Sequence, residues 1–73
     1  MKKKKSAALL EIGPAIRQVR QKSGISQGDI MWKTGIERGY VSRIERGEIP
    51  APKLQTVMKI CGVLGVTVDQ LLF

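Results

Sequence analysis

The chain has 73 residues, with 13 Lys and Arg against six Asp and Glu; its net charge of +7 favours a polyanionic partner, whether DNA, RNA or an anionic membrane. A chain this short folds as one domain that buries only about 60% of its unfolded surface, which disfavours an enclosed enzyme cavity. A single Cys and no His exclude an internal disulfide and a metal cluster. No apolar run approaches the ~18 residues of a membrane span, and Met-Lys-Lys-Lys-Lys has no signal-peptide core, so a cytoplasmic protein is expected.

Lys2, Lys3, Lys4 and Lys5 supply four of the charges and leave a net +3 on residues 6–73. Residues 1–8 read as a flexible basic arm ahead of a domain over residues 9–73. The arm either wraps DNA and releases counterions or serves as a solubilising tail. Leu9, Ile12, Ile16 and Val19 recur at three- and four-residue steps, predicting a first helix from Leu9 to Lys22 with Gly24 just past its end. Gly13-Pro14 is an alternative start, since proline is tolerated in a first turn.

Ser26 followed three residues later by Asp29 is a capping box, so a second helix begins at Gln27. Ile30, Met31 and Thr34 share a face of it, and Gly35 supplies the left-handed residue that ends it. In the third helix Val41 and Ile44 face inward, leaving Arg38, Ser42 and Arg43 on other faces, before Gly47 and the Pro50/Pro52 pair stop it. Pro52 is then expected at the first position of a fourth helix with an apolar stripe of Leu54, Val57, Met58, Cys61 and Leu64, closed by Gly65. Thr67 and Gln70 form a second capping box that opens a short last helix through Leu71 and Leu72. Five helices with short connections and no internal repeat predict a compact all-α bundle.

Two helices joined by so short a glycine turn cross steeply, and the second projects from the surface. A helix about 10–12 Å across fits the major groove of B-DNA, where a guanidinium fork reads guanine O6 and N7 for about 1–3 kcal/mol of discrimination. Arg38 and Arg43 are the best candidate base readers. Five residues apart, they lie about 140° apart around the helix, so the expectation is that they read different bases or that one of them falls back to phosphate.

Ile12-Gly13 through Val19-Arg20, Gly24-Ile25-Ser26-Gln27, Thr34-Gly35-Ile36, Val41-Ser42-Arg43-Ile44-Glu45-Arg46-Gly47, Ile60 through Leu64-Gly65-Val66, and Asp69-Gln70-Leu71-Leu72 occur in the order and spacing of a known family. In these residues the chain resembles the lambda-repressor-like, Cro-type (XRE) helix-turn-helix domains of prokaryotic transcription regulators, over about residues 12–73. The resemblance implies that Arg38, Gly39 and Arg43 face base edges. It implies backbone contacts from Gln27, which also braces the reading helix, and from Tyr40, Ser42, Arg46, Lys33 and Lys53. Arg20 and Glu45 match a pair that forms an ion pair between the first and third helices.

The implied function is a sequence-specific double-stranded DNA-binding regulator, a repressor or controller that binds an operator as a homodimer in a bacterial or phage cytoplasm. The alternative is an antitoxin-type module that also binds DNA and neutralises a toxin partner. A membrane- or RNA-surface binder led by the lysines is a further rival. No cofactor, metal, membrane contact or enzymatic activity is expected. Some residues depart from the family pattern: Met31 stands where alanine is usual, Glu37 where a Ser or Thr cap is usual, and Gly39 offers no side chain to a base. Glu48-Ile49-Pro50-Ala51 makes the following loop less basic. Cys61 reads as a core residue, Trp32 as a surface anchor or as partly buried, with Tyr40 similarly divided, and Leu71, Leu72 and Phe73 as a dimer seam or a cap on the core.

Overall fold

The computed structural model describes residues 12–72, in which five helices follow one another and no strand occurs: α1 (Ile12–Lys22), α2 (Gln27–Thr34), α3 (Arg38–Glu45), α4 (Leu54–Leu64) and α5 (Val68–Leu72). The expected all-α five-helix architecture is the observed one. The lysine run, the predicted helix start at Leu9 and Phe73 lie outside the described residues. Ile12 and Gly13 are already helical.

Local chemistry sets the helix boundaries. Ser26 Oγ accepts from the Asp29 backbone N–H, and an Asp29 carboxylate oxygen accepts from the Ser26 N–H, both at 2.9 Å. These bonds, the backbone one foremost, hold the Asp29 carboxyl below the usual carboxylate range and place its negative charge at the positive end of α2. The same reciprocal pair joins Thr67 and Gln70 at the head of α5, with bonds of 2.9 and 3.0 Å. Gly35, at φ 79°, closes α2 in a left-handed conformation that a side chain would strain.

The interior is small and aliphatic. Ile16 from α1, Ile30 from α2, Val41 and Ile44 from α3, and Ile60 from α4 are essentially without solvent contact, and Ile12, Val57, Cys61, Leu64 and Leu71 complete the cluster. Each fully buried Ile or Val contributes about 1.5–3 kcal/mol relative to exposure. Cys61 sits within this cluster, where burial pushes its thiol up from its ordinary value. Leu71 belongs to the core, and Leu72 packs half-buried beside it.

Three sequence expectations need correction. The buried stripe of α4 is Val57, Ile60, Cys61 and Leu64, whereas Leu54 and Met58 are 63% and 55% exposed. Both leucine and methionine fit the helical period, but they flank the line that meets the other helices. Pro52 is not the first helical residue: Lys53 is the N-cap, with extended backbone, and the helix starts at Leu54. Met31 is 38% exposed and only Ile30 of α2 is buried, so the methionine sits at the rim of the α2 packing face instead of sharing it.

Gly13 marks a close approach that the sequence did not announce. A Cβ at this position would overlap the carbonyl oxygen of Ile44, so α1 and the end of α3 touch backbone to backbone. Gly13→Ala must therefore push the two helices apart. It is expected to lower the unfolding free energy by about 1–3 kcal/mol in urea denaturation followed by circular dichroism, and unchanged stability would refute the contact.

Candidate nucleic-acid interface

Helix α3 packs against α1 and α2 and against no other described helix. Its inward residues are Val41, Ile44 and Glu45, while Arg38, Gly39 and Arg43 are exposed and Tyr40 and Ser42 are half-buried. The turn that leads into it is locked by Thr34, whose hydroxyl donates to the Ile30 carbonyl at 2.6 Å and accepts from the Ile36 N–H at 3.1 Å. Glu37 is the N-cap residue of α3 but makes no side-chain capping bond.

The far end of α3 is fixed by a carboxylate. Glu45 is 4% exposed, and Arg20 of α1 grips it side-on, Nε to Oε2 at 2.6 Å and Nη2 to Oε1 at 2.9 Å. Gln27, the first residue of α2, donates from Nε2 to the same Oε1 at 3.0 Å. Arg20 Nη1 also donates to the Ile25 carbonyl at 3.0 Å, so its guanidinium ties together α1, the α1–α2 turn and α3. The hydrogen bond to Glu45 raises the Arg20 pKa above its ordinary value despite partial burial. A buried charge is tolerated here because its partners are paired and hydrogen-bonded.

The exposed side of α3 carries a shallow depression lined by Glu37, Gly39, Tyr40, Ser42, Arg43 and Arg46. Most of the residues expected to face nucleic acid thus share one surface. Arg38 is exposed and forms no ion pair among the described residues. The space around Gly39 is open, so nothing among the described residues requires a glycine there. Lys53 is exposed at the head of α4. Lys33 lies elsewhere, with Thr34, Lys59, Gly62 and Val63 around a depression between α2 and α4. Trp32 is 84% exposed, which settles its placement as a surface residue.

Arg46 and Ser42 are engaged within the chain. Arg46 donates from Nε to Glu48 Oε2 at 2.7 Å, from Nη2 to Oε1 at 3.2 Å and from Nη1 to Ser42 Oγ. The Arg43 Nε lies 3.7 Å from Glu48 Oε1. Arg46 holds the Glu48 carboxyl below its usual range, and Glu48 raises the Arg46 guanidinium above its own. Glu48 is brought back over the helix by the turn at Gly47, φ 77°, in which Gly47 N–H donates to Ile44 O at 3.0 Å and Glu48 N–H to Arg43 O at 2.9 Å. In the sequence Glu48 registers only as a loss of positive charge from the loop. The signal that finds it is a carboxylate one residue beyond the glycine that ends an arginine-bearing helix.

A family model described as a helix-turn-helix domain matches residues 11–72. The chain belongs to the helix-turn-helix domain family. It is 38% identical over 61 residues to the HTH-type transcriptional regulator SinR of Bacillus subtilis (strain 168), an alignment covering 84% of this chain and 55% of that protein. To the HTH-type transcriptional regulator SlrR of the same strain it is 33% identical over 60 residues, covering 82% of this chain and 40% of that protein. A glutamine–fructose-6-phosphate aminotransferase of Methanocaldococcus jannaschii is 24% identical over 58 residues, only 5% of that enzyme's length. The chain spans about half the length, or less, of the two transcriptional regulators it resembles. No solved structure gives a significant match.

The junction at Glu45 yields a direct expectation. Glu45→Ala leaves the partly buried Arg20 guanidinium without its carboxylate and is expected to cost about 2–4 kcal/mol, a large share of the stability of so small a domain. Urea unfolding monitored by circular dichroism checks this; a loss below about 1 kcal/mol would show the pair to be dispensable.

Proposed function

We propose that this chain is the DNA-reading domain of a transcriptional regulator that recognises a specific double-stranded operator through α3. The observation that carries the reading is α3 itself. Among the described helices α1 and α2 alone support it, and it presents Arg38 and Arg43 on its exposed side, with its far end pinned through Glu45. Its relatives' names as transcriptional regulators support the same reading.

In this reading Arg43 and Arg38 address guanines at different base steps, and the open surface at Gly39 lets backbone approach the groove closely. Gln27 has a double task. Its amide braces Glu45, and its position at the start of α2 puts a helix N-terminus, favourable to phosphate, beside the reading helix. Tyr40 and Lys53 are flanking backbone contacts, and Lys33, set apart between α2 and α4, is a peripheral one. One helix reaches only a few base pairs, so we assign the protein to a homodimer whose reading helices stand about 34–36 Å apart. It acts as a repressor by occupying its operator, in the cytoplasm and without catalysis.

Duplexes selected from a random pool provide the test, because a recovered palindrome reports specificity, dimerisation and half-site spacing together. Against the selected site, Arg43→Ala is expected to weaken binding about tenfold and to relax preference at one base position, whereas Gln27→Ala weakens selected and random duplexes alike. Equal loss on every sequence for Arg43→Ala would make Arg43 a phosphate contact.

The lysines at positions 2–5 add to the electrostatic part of binding in this reading. With about 6 phosphates neutralised, log affinity falls against log salt with a slope near about −5. Removing residues 2–5 is expected to flatten that slope by about 2–3 and leave the base preference intact. A truncated chain that retains the full slope would show that the run is a solubilising tail, and one that loses all binding would favour a surface binder led by the lysines.

A further inference from the structure

We infer that Glu48 is a specificity-determining residue: an internal stand-in for DNA phosphate that occupies Arg46 and steadies Arg43, suppressing non-specific binding while sparing the base-reading fork. The inference rests on the DNA-reading assignment above.

The two arginines are treated differently by the same carboxylate. Every nitrogen of the Arg46 guanidinium has a partner within the chain, two on Glu48 and one on Ser42. Arg43 meets Glu48 only through Nε, at 3.7 Å, outside hydrogen-bond range. Its terminal Nη1 and Nη2, the pair that matches guanine O6 and N7, have no hydrogen-bond partner among the described residues. Glu48 therefore lies on the stem side of Arg43 and leaves the recognition edge open.

Sequence-independent affinity comes from phosphates, each of which competes for an arginine. A random duplex must displace the Glu48 carboxylate from Arg46 and bring phosphate near a negative charge to gain that contact. A duplex offering guanine to Arg43 gains its contact without disturbing the clamp. The clamp thus lowers affinity for DNA in general more than affinity for the operator. Because the genome presents a great excess of non-specific sites, this difference counts for more than affinity alone. Glu48 is held in place by backbone, since its N–H is bonded to the Arg43 carbonyl within the Gly47 turn. The carboxylate is built into the end of the reading helix and does not depend on a wandering loop.

The experiment compares the full chain with Glu48→Gln, Arg46→Ala and the double variant, by fluorescence anisotropy on the selected duplex and a random duplex over a potassium chloride series. Glu37→Gln serves as control, because it removes the same charge from the other end of α3 without freeing an arginine. Glu48→Gln is expected to bind random duplex about tenfold tighter at low salt, with a slope steeper by about one. On the selected duplex the gain stays within about threefold, so the specificity ratio falls. In the Arg46→Ala background the same change produces no more than the Glu37→Gln control. Glu48 is exposed, and an unchanged circular dichroism melt confirms that each variant is folded. The inference is overturned if Glu48→Gln behaves like Glu37→Gln, or if it weakens both duplexes, while the parent chain still binds its site. A parent chain that binds no duplex at low salt overturns the DNA-reading assignment and this inference together.

Discussion

Two oxygens on Glu45 decide where the exposed helix points. A buried ion pair adds little net stability over well-packed apolar side chains, because desolvating two charges consumes most of the Coulombic gain. What it supplies is direction. Arg20 Nε and Nη2 and Gln27 Nε2 converge on one carboxylate from two different helices, so α3 cannot rotate about its axis without breaking three charge-assisted bonds. A greasy contact at the same spot would tolerate sliding by a fraction of a turn. A side chain that reads a base edge does not, since displacement by about an ångström takes a guanidinium fork out of hydrogen-bond range.

The rest of the molecule supports that junction. An eight-residue helix is not stable alone in water, so α2 and α3 exist because their neighbours complete them. Thr34 and Gly35 set the angle between them, Gly13 lets α1 lie directly on the Ile44 carbonyl, and the Gly47 turn ends α3 so that it does not run on into the solvent. The aliphatic cluster behind provides the free energy, and the polar junction chooses among the arrangements that cluster would accept. Both are needed because the core is too small to specify orientation by shape complementarity alone.

This division explains what was legible in the sequence. Capping boxes at Ser26–Asp29 and Thr67–Gln70 and the glycines after α1, α2, α3 and α4 are local devices, and local devices can be read from adjacent letters. The fold followed from them. Periodicity was less decisive: Leu54 and Met58 satisfy a 3.6-residue repeat as well as Ile60 does, and only the packing of α4 on its neighbours shows which line is covered. A 73-residue chain has more apolar side chains than interior, so some that fit the pattern must remain outside. Arg20, Gln27 and Glu45 were assigned through family likeness; their shared junction depends on residues up to 25 positions apart, beyond what spacing alone reveals. Glu48 was missed for the opposite reason. It is close in sequence to Arg43 and Arg46, but its reach depends on a left-handed turn that folds the chain back on the helix.

Charge counting alone misjudges such a surface. The sequence places Arg20, Arg38, Arg43 and Arg46 within or near the helix-turn-helix, and each adds equally to the total of +7. In the folded chain they are not equivalent. Arg20 is consumed by the buried junction, Arg46 is clamped by Glu48 and Ser42, Arg43 has the Glu48 carboxylate 3.7 Å from its Nε, and Arg38 is exposed without an ion-pair partner among the described residues. The long-range field that draws a polyanion depends on the sum, but short-range recognition depends on which donor edges remain unsatisfied when the duplex arrives. By that measure α3 and its C-cap residue present two available arginines rather than three. They lie about 140° apart around the helix, flanking Gly39, around which no described residue stands in the way.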